Sequence, residues 1–325
     1  MNPFFDHIRE AHAAIRPQVP VTPLAHSPAL SAALGCDVSL KLDFQQPTGS
    51  FKIRGATNKM RTLDAEARRR GVLTASTGNH GMAVARAGAL AGVRVTVYVG
   101  ADAATMKVAG IRALGAEVVV VDGAAGDAEN AARRCGEAEG RAYISPYNDP
   151  AVMAGQGTVG IEIAEQDPEV EAVFIAVGAG GLMGGAGIAL HALRPGIEVV
   201  GVWPEASTCM LRALEAGAIV PTEEFPTLSD GTTGAIEAGS ITFAACRDVI
   251  DNRIVVTEAE IAAAMKRIAE TERWMIEGAA GVAFAGLARQ AERYRGRKVA
   301  VVLCGRNIAL DLFLRTVGQA GERAI

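Results

Sequence analysis

Four short segments of this 325-residue chain hold side chains whose types and order could do chemistry. The first, Pro47-Thr-Gly-Ser-Phe-Lys-Ile-Arg-Gly55, sets a lysine just after a Gly-Ser turn and at the start of a helix. Backbone N–H donors and the positive end of the helix disfavour a further positive charge there, which pushes the Lys52 amine toward its neutral form. A neutral amine can form a Schiff base with a carbonyl; the tripeptide alone equally describes a solvated lysine. The second, Ser76-Thr-Gly-Asn-His-Gly81, offers two hydroxyls, a close-approach glycine and an amide at a strand-to-helix turn. Such a loop can hold a carboxylate or act as a polar helix cap. His80 within it reads as a hydrogen-bonded packing residue rather than a proton shuttle.

The third segment, Gly178-Ala-Gly-Gly-Leu-Met-Gly-Gly185, exposes consecutive N–H groups that can cradle a phosphate. A dinucleotide fingerprint starting at Gly178 needs Gly or Ala at 183, where Met183 stands. A mononucleotide or a simple phosphate ester therefore suits this loop better than NAD. The fourth, Val301-Val-Leu-Cys-Gly-Arg-Asn307, is an apolar strand running into a turn, and by itself Cys304 reads as a small buried hydrophobe.

Short Val/Ile-rich runs alternate with amphipathic stretches, the pattern of βαβ units and a mainly parallel α/β fold. Strands are predicted at 38–42, 72–75, 93–99, 117–121, 172–177, 197–203, 253–256 and 298–304. Helices are predicted at 52–63, 81–91, 103–114, 127–139, 152–165, 182–193, 258–271 and 279–294. The polar, proline-bearing stretch Ser145-Pro-Tyr-Asn-Asp-Pro150 marks a domain junction, and a second must lie between the Lys52 helix and the strand at Val72. The expected division is a discontinuous large domain, 1–65 with 149–325, and a small domain, 66–148, with a site in the cleft between them.

Acidic and basic residues, 36 against 32, are interspersed and leave a net charge of -4, and nothing in this pattern points to a nucleic-acid or anionic-membrane surface. Five scattered cysteines without a C-x-x-C pair fit reduced thiols in a cytoplasm. Asp6, Arg9 and Glu10 interrupt the apolar run a signal peptide needs. Residues 172–190 carry no charge, but six glycines make them a strand, a loop and a helix start rather than a membrane span.

S-F-K-I-R-G, S-T-G-N-H-G, the G-A-G-G-L loop and the terminal C-G-x-N, in this order, resemble the fold-type II pyridoxal-phosphate enzymes. Within that group they are similar to the serine/threonine dehydratase and serine racemase family, over nearly the whole chain. Gly155-Gln-Gly-Thr158 and Ile276-Glu-Gly-Ala-Ala-Gly281 also match family segments. The resemblance implies two open twisted α/β domains, like tryptophan synthase β, with pyridoxal 5'-phosphate between them. It makes Lys52 the Schiff-base lysine and the base at the substrate's α-carbon, with Phe51 beside the ring and Asn79 on the phenolic oxygen. Gly178, Ala179, Gly180, Gly181 and Leu182 would bind the phosphate, Cys304 would face the pyridine nitrogen, and Ser76, Thr77, Gly78 and Asn79 would hold the substrate. A neutral partner for the ring nitrogen favours β-elimination over a long-lived carbanion. The implied function is a dehydratase, or ammonia-lyase, acting on L-threonine, L-serine or another β-hydroxy amino acid, in a homodimer or higher homo-oligomer.

The chain also departs from the family. Thr77 stands where racemases carry a serine as second base, and Trp203 and Cys209 stand at the cation-ligand positions, so no metal site is expected. Tyr147 shapes the side-chain pocket or packs the junction. Arg306 replaces a usual glycine and meets either the ligand or solvent, and Glu277 either neighbours the cofactor or caps a helix. With 18 residues after Asn307, an isoleucine-sensing regulatory domain is not expected. The rival readings are a racemase, a dehydratase of hydroxyaspartate or of a hydroxyectoine-derived substrate, a dinucleotide-dependent oxidoreductase, and a catalytically idle ligand-binding relative.

Overall fold

A computed structural model describes residues 2–101, 103 and 105–320. Among these described residues ten strands form two sheets: β1 (Leu24–His26), β2 (Asp37–Lys41), β3 (Val72–Ala75), β4 (Val95–Gly100), β5 (Glu117–Val121), β6 (Ala142–Tyr143), β7 (Ala172–Ala176), β8 (Glu198–Pro204), β9 (Asn252–Val256) and β10 (Lys298–Val302). The six-stranded sheet runs β1-β2-β10-β7-β8-β9 and the four-stranded sheet β5-β4-β3-β6. Every pairing is parallel except β1 with β2. Strands β4 and β7 are buried at every residue. Helices on both faces produce this, and it is why these runs read as continuously apolar rather than alternating.

The chain lays down β1 and β2, builds the whole four-stranded sheet, then returns to complete the six-stranded one. Two helices stand at these crossings, Lys52–Thr62 and Pro150–Gln166. Ile53, Ala56, Met60 and Val152 pack into the core of the four-stranded sheet, while Met153, Ala154 and Ile161 pack into that of the six-stranded sheet. The two crossing helices thus tie both cores together where the lysine sits.

Directly behind Lys52 lies a buried ion network. Arg54, fully buried, donates to Asp43 at 2.7 and 2.8 Å, to Glu162 at 2.6 and 2.8 Å and to Thr158 Oγ1 at 3.0 Å. Lys41 Nζ and Arg16 Nη1 each reach Glu162 at 2.7 Å. Burial alone would raise the Glu162 carboxyl, but Arg54 and Lys41 hold it down at about 2. These partners come from the end of the N-terminal helix Phe4–Ile15, β2, the turn after it and both crossing helices, so the network anchors the helix that opens with Lys52.

All eight predicted strands form, with ends shifted by at most two residues. The short edge strands β1 and β6 carry too few residues for a periodic signal. Helices Phe4–Ile15, Pro28–Leu34, Ala65–Arg70, Cys209–Ala216, Ile241–Val249 and Leu310–Gln319 were also not predicted. The helix expected over 279–294 stops at Arg289 and resumes as a 3-10 turn, Ala291–Tyr294. The strand expected to reach Cys304 ends at Val302. Beyond it the chain bonds to the lysine turn instead. The charge-free residues 172–190 become β7, a loop and most of helix Gly181–Leu193. Among the described residues no helix is long and apolar enough to cross a membrane.

Candidate active site

The lysine turn and the terminal C-G-R-N turn are stitched together by backbone bonds. Phe51 N–H donates to Cys304 O at 3.0 Å, Arg306 N–H donates to Gly49 O at 2.9 Å, and Ser50 bridges Gly305. Gly49 has φ +76° and a Cβ there would come within 2.5 Å of Asn307 Oδ1, so glycine is required on both counts. Lys52 is half-buried; its Nζ donates to Pro146 O at 3.2 Å and lies 5.3 Å from the Phe51 ring centre. Burial lowers the amine's pKa to about 8, with Cys304 and Glu277 opposing. The sequence pointed to a neutral amine through the helix end; enclosure is the stronger cause. Cys304 is 4 % exposed and its thiol is pushed well up by burial, then by Glu277, so it stays neutral.

The helix after β3 begins at Asn79, two residues before its predicted start. Asn79 Nδ2 donates to Glu277 Oε1 and Oε2 at 2.8 and 3.1 Å, and Asn79 Oδ1 accepts from Asn307 Nδ2 at 2.5 Å. Asn307 also donates its backbone N–H to Glu277 Oε2 at 3.0 Å and its Nδ2 to Thr48 O at 2.8 Å. Burial raises the Glu277 carboxyl to about 7 against the lowering bond from Asn79. Glu277 occupies the N-cap position of helix Gly278–Arg289 without capping it. Of the two roles left open for this residue, its carboxylate takes the one facing the site. Asn307 was missed as a site residue, although the C-G-x-N motif contains it.

Ser76, Thr77 and Gly78 are half-buried on the same loop, and Gly78 N–H donates to Ser76 Oγ at 3.2 Å. A Cβ on Gly78 would meet open space. His80 is buried, bonds Ile144 O at 2.9 Å, and is driven down to about 3 by burial and then by Lys52. It is a neutral packing residue, as its sequence context suggested.

Two carbonyls of the glycine loop are held by side chains. Thr242 Oγ1 donates to Ala179 O at 2.6 Å and Cys246 Sγ to Gly180 O at 3.6 Å. Gly180, at φ +88°, starts helix Gly181–Leu193, whose first internal bond runs from Gly184 N–H to Gly180 O. The amides of 181–183 therefore lie outside the helix ladder, at its positive end. Leu182 is buried beneath them. Tyr147 packs against Gly181, with its hydroxyl donating to Ala235 O at 3.3 Å and accepting from Glu237 N–H at 3.0 Å. Arg306 is exposed. Trp203 is fully buried and Cys209 nearly so. Among the described residues no cluster of three or more His, Cys, Asp or Glu could hold a metal ion.

These donors suit a phosphorylated aldehyde: free helix-end amides for a dianion, a deprotonable amine for the carbonyl, an amide N–H for a phenolic oxygen, and a neutral thiol. Fold and site together define a two-sheet α/β enzyme that works through a cofactor of that kind. A sequence profile described as "Pyridoxal-phosphate dependent enzyme" matches residues 15–305. The L-threonine ammonia-lyase of Thermotoga maritima is 38% identical over 314 residues, covering 97% of this chain and 78% of the relative. The L-threo-3-hydroxyaspartate ammonia-lyase of Saccharomyces cerevisiae is 33% identical over 311 residues, 96% of this chain and 95% of that one. The processed form of threonine deaminase isoform 2 from Solanum lycopersicum superimposes with a TM-score of 0.94 at 32% identity, over 99% of this chain and 94% of its own. The chain belongs to the pyridoxal-phosphate-dependent enzymes, in their fold-type II branch. It is a lyase that uses pyridoxal 5'-phosphate.

Proposed function

We propose that this enzyme removes water from L-threonine or L-serine to give a 2-oxo acid and ammonia, with Lys52 as the base at the α-carbon. The observation that carries this is the pairing of a half-buried Lys52 amine, poised near its neutral form, with a neutral Cys304 thiol on the adjoining turn. When bound, pyridoxal 5'-phosphate supplies an aldehyde that condenses with amines and a ring that withdraws electron density from the substrate's Cα. Gly178, Ala179, Gly180, Gly181 and Leu182 would hold its phosphate, Asn79 its 3'-oxygen, Phe51 would pack beside the ring and Cys304 would face the ring nitrogen.

Ser76, Thr77 and Gly78 would bind the substrate carboxylate, and the Thr77 hydroxyl would stand across Cα from Lys52. Tyr147 would limit the space for the substrate side chain. Lys52 accepts the α-proton with a pKa near the working pH, where a general base is most effective. A neutral Cys304 would add no positive charge at the ring nitrogen, which would favour loss of the β-hydroxyl over prolonged negative charge at Cα. The nitrogen then leaves as ammonia when water adds.

The residue reading also carries a division into a large domain, 1–65 with 149–325, and a small one, 66–148, with the cleft between them. A cytoplasmic location accompanies this reading, in keeping with five unpaired cysteines; the family resemblance adds a homodimer or higher homo-oligomer, which light scattering of the purified protein measures. The function itself is tested by assaying 2-oxo acid release from L-threonine, L-serine and L-threo-3-hydroxyaspartate, with Lys52→Ala as control. Activity on one of these substrates that vanishes in the variant, together with the cofactor's visible band, is the expected result. Retention of both band and activity by Lys52→Ala would overturn the reading.

A further inference from the structure

Asn79 is held at one end of its amide by Asn307, whose orientation a backbone carbonyl fixes, and at the other by the carboxyl group of Glu277. Thr48 O is a backbone carbonyl and can only accept, which settles that Asn307 presents Nδ2, not Oδ1, at 2.8 Å. The second hydrogen of that Nδ2 goes to Asn79 Oδ1 at 2.5 Å. At the other end Asn79 Nδ2 meets both oxygens of Glu277, at 2.8 and 3.1 Å. Glu277 Oε2 is simultaneously committed to the backbone N–H of Asn307. A Cβ at Gly305 would overlap Glu277 Oε1, so that glycine makes room for the carboxylate. The chain from Thr48 through Asn307 and Asn79 to Glu277 is thus polar at every link, and reversing any one amide sets like groups against each other. Glu277 satisfies this chain instead of capping the helix it precedes.

We propose that Glu277 and Asn307 are positioning residues that fix which end of the Asn79 amide faces the cleft, so that the site offers the cofactor's 3'-oxygen an N–H and never a carbonyl. This rests on the assignment of Asn79 made above. A primary amide carries two N–H groups, and one suffices for the Glu277 carboxylate. The other remains for the ligand. A reversed Asn79 would place a carbonyl lone pair against an anionic oxygen, replacing a hydrogen bond by repulsion.

Glu277→Gln tests the clamp with little change of volume. Its one oxygen is drawn to the backbone N–H of Asn307, which cannot turn, and its NH2 then confronts Asn79 Nδ2 where Glu277 Oε1 accepts at 2.8 Å. The native orientation of Asn79 loses its shorter bond and faces a donor, which favours reversal against Asn307. Glu277→Gln, Asn307→Ala, Asn79→Ala and the double variant Asn79→Ala/Glu277→Gln are stripped of cofactor. They are then titrated with pyridoxal 5'-phosphate, following the visible band and the dissociation constant, with circular dichroism reporting the fold.

The expected result is a loss of affinity of at least about tenfold in Glu277→Gln, the scale of one charge-assisted hydrogen bond. A displaced band should accompany it, and the double variant should show no further loss beyond Asn79→Ala, because Glu277 acts through Asn79. A purely structural role would give additive losses, and that result overturns the clamp. So do folded Glu277→Gln and Asn307→Ala proteins that bind within about twofold of the parent while Asn79→Ala is impaired; the Asn79 assignment then stands without it. If Asn79→Ala itself binds normally, the underlying site reading fails. Should Glu277→Gln not fold, Asn307→Ala carries the same decision.

Discussion

Replacing Arg54 by Met probes how the lysine is held. In the native protein Asp43 and Glu162, both fully buried, share the Arg54 guanidinium through four bonds of 2.6–2.8 Å. Without it Glu162 keeps Lys41 and Arg16, but Asp43 retains only the Thr22 hydroxyl at 2.6 Å. Breaking a buried pair from one side leaves an uncompensated charge and costs about 3–5 kcal/mol. Against a typical total of about 5–15 kcal/mol, that is a large fraction of the stability. Urea unfolding of the cofactor-free protein, followed by circular dichroism, measures it. Arg54→Lys, which keeps the charge but loses the planar fork, should fall between. Adding Asp43→Asn to Arg54→Met should recover about 1–2 kcal/mol by removing the stranded charge. Because Lys52 opens the same helix, kcat should drop roughly tenfold or more as the amine shifts. An Arg54→Met protein within about 1 kcal/mol of the parent would refute the idea that this network anchors the catalytic helix.

Three further outcomes follow from the geometry. A Cβ at Gly178 would lie 2.8 Å from Thr232 O, so Gly178→Ala should displace the glycine loop and weaken cofactor binding by roughly tenfold, read by titrating the stripped protein. Burial lowers the Lys52 pKa from 10.5 to about 8. Below about 8 both native and unfolded chains hold that proton; between about 8 and 10.5 only the unfolded chain does, so stability of the cofactor-free protein rises with pH there. Lys52→Met should abolish this slope and stabilise the protein near neutral pH by on the order of 1–3 kcal/mol, and urea titrations showing the same slope in both proteins would contradict it. Tyr147→Phe removes the hydroxyl between Ala235 O and Glu237 N–H; KM should rise severalfold with little change in kcat, and stability should fall by about 1 kcal/mol in the same titrations.

The chemistry was legible in the sequence wherever it is local. Lys52 at a Gly-Ser turn, the S-T-G-N-H-G loop after β3 and the glycine loop after β7 each combine a strand end, a turn and a helix start, and short-range patterns specify such units. Met183 in the loop weighed against the dinucleotide reading. The parallel sheets were legible too, because strands buried on both faces read as apolar runs between helices.

What the tertiary structure decided lies in contacts between residues far apart in the chain. Asn79 meets Glu277 across 198 positions and Asn307 across 228, so no periodicity or motif spacing could show that these amides orient one another. The low pKa of Lys52 comes chiefly from enclosure, which only the packing of both sheets against the crossing helices creates. Nothing local in the sequence marks Arg54 as buried, since burying a charge is unfavourable until the fold brings Asp43 and Glu162 around it. Sequence thus names the groups capable of chemistry; their protonation and orientation depend on solvent exclusion and partner geometry, which exist only once the chain has folded.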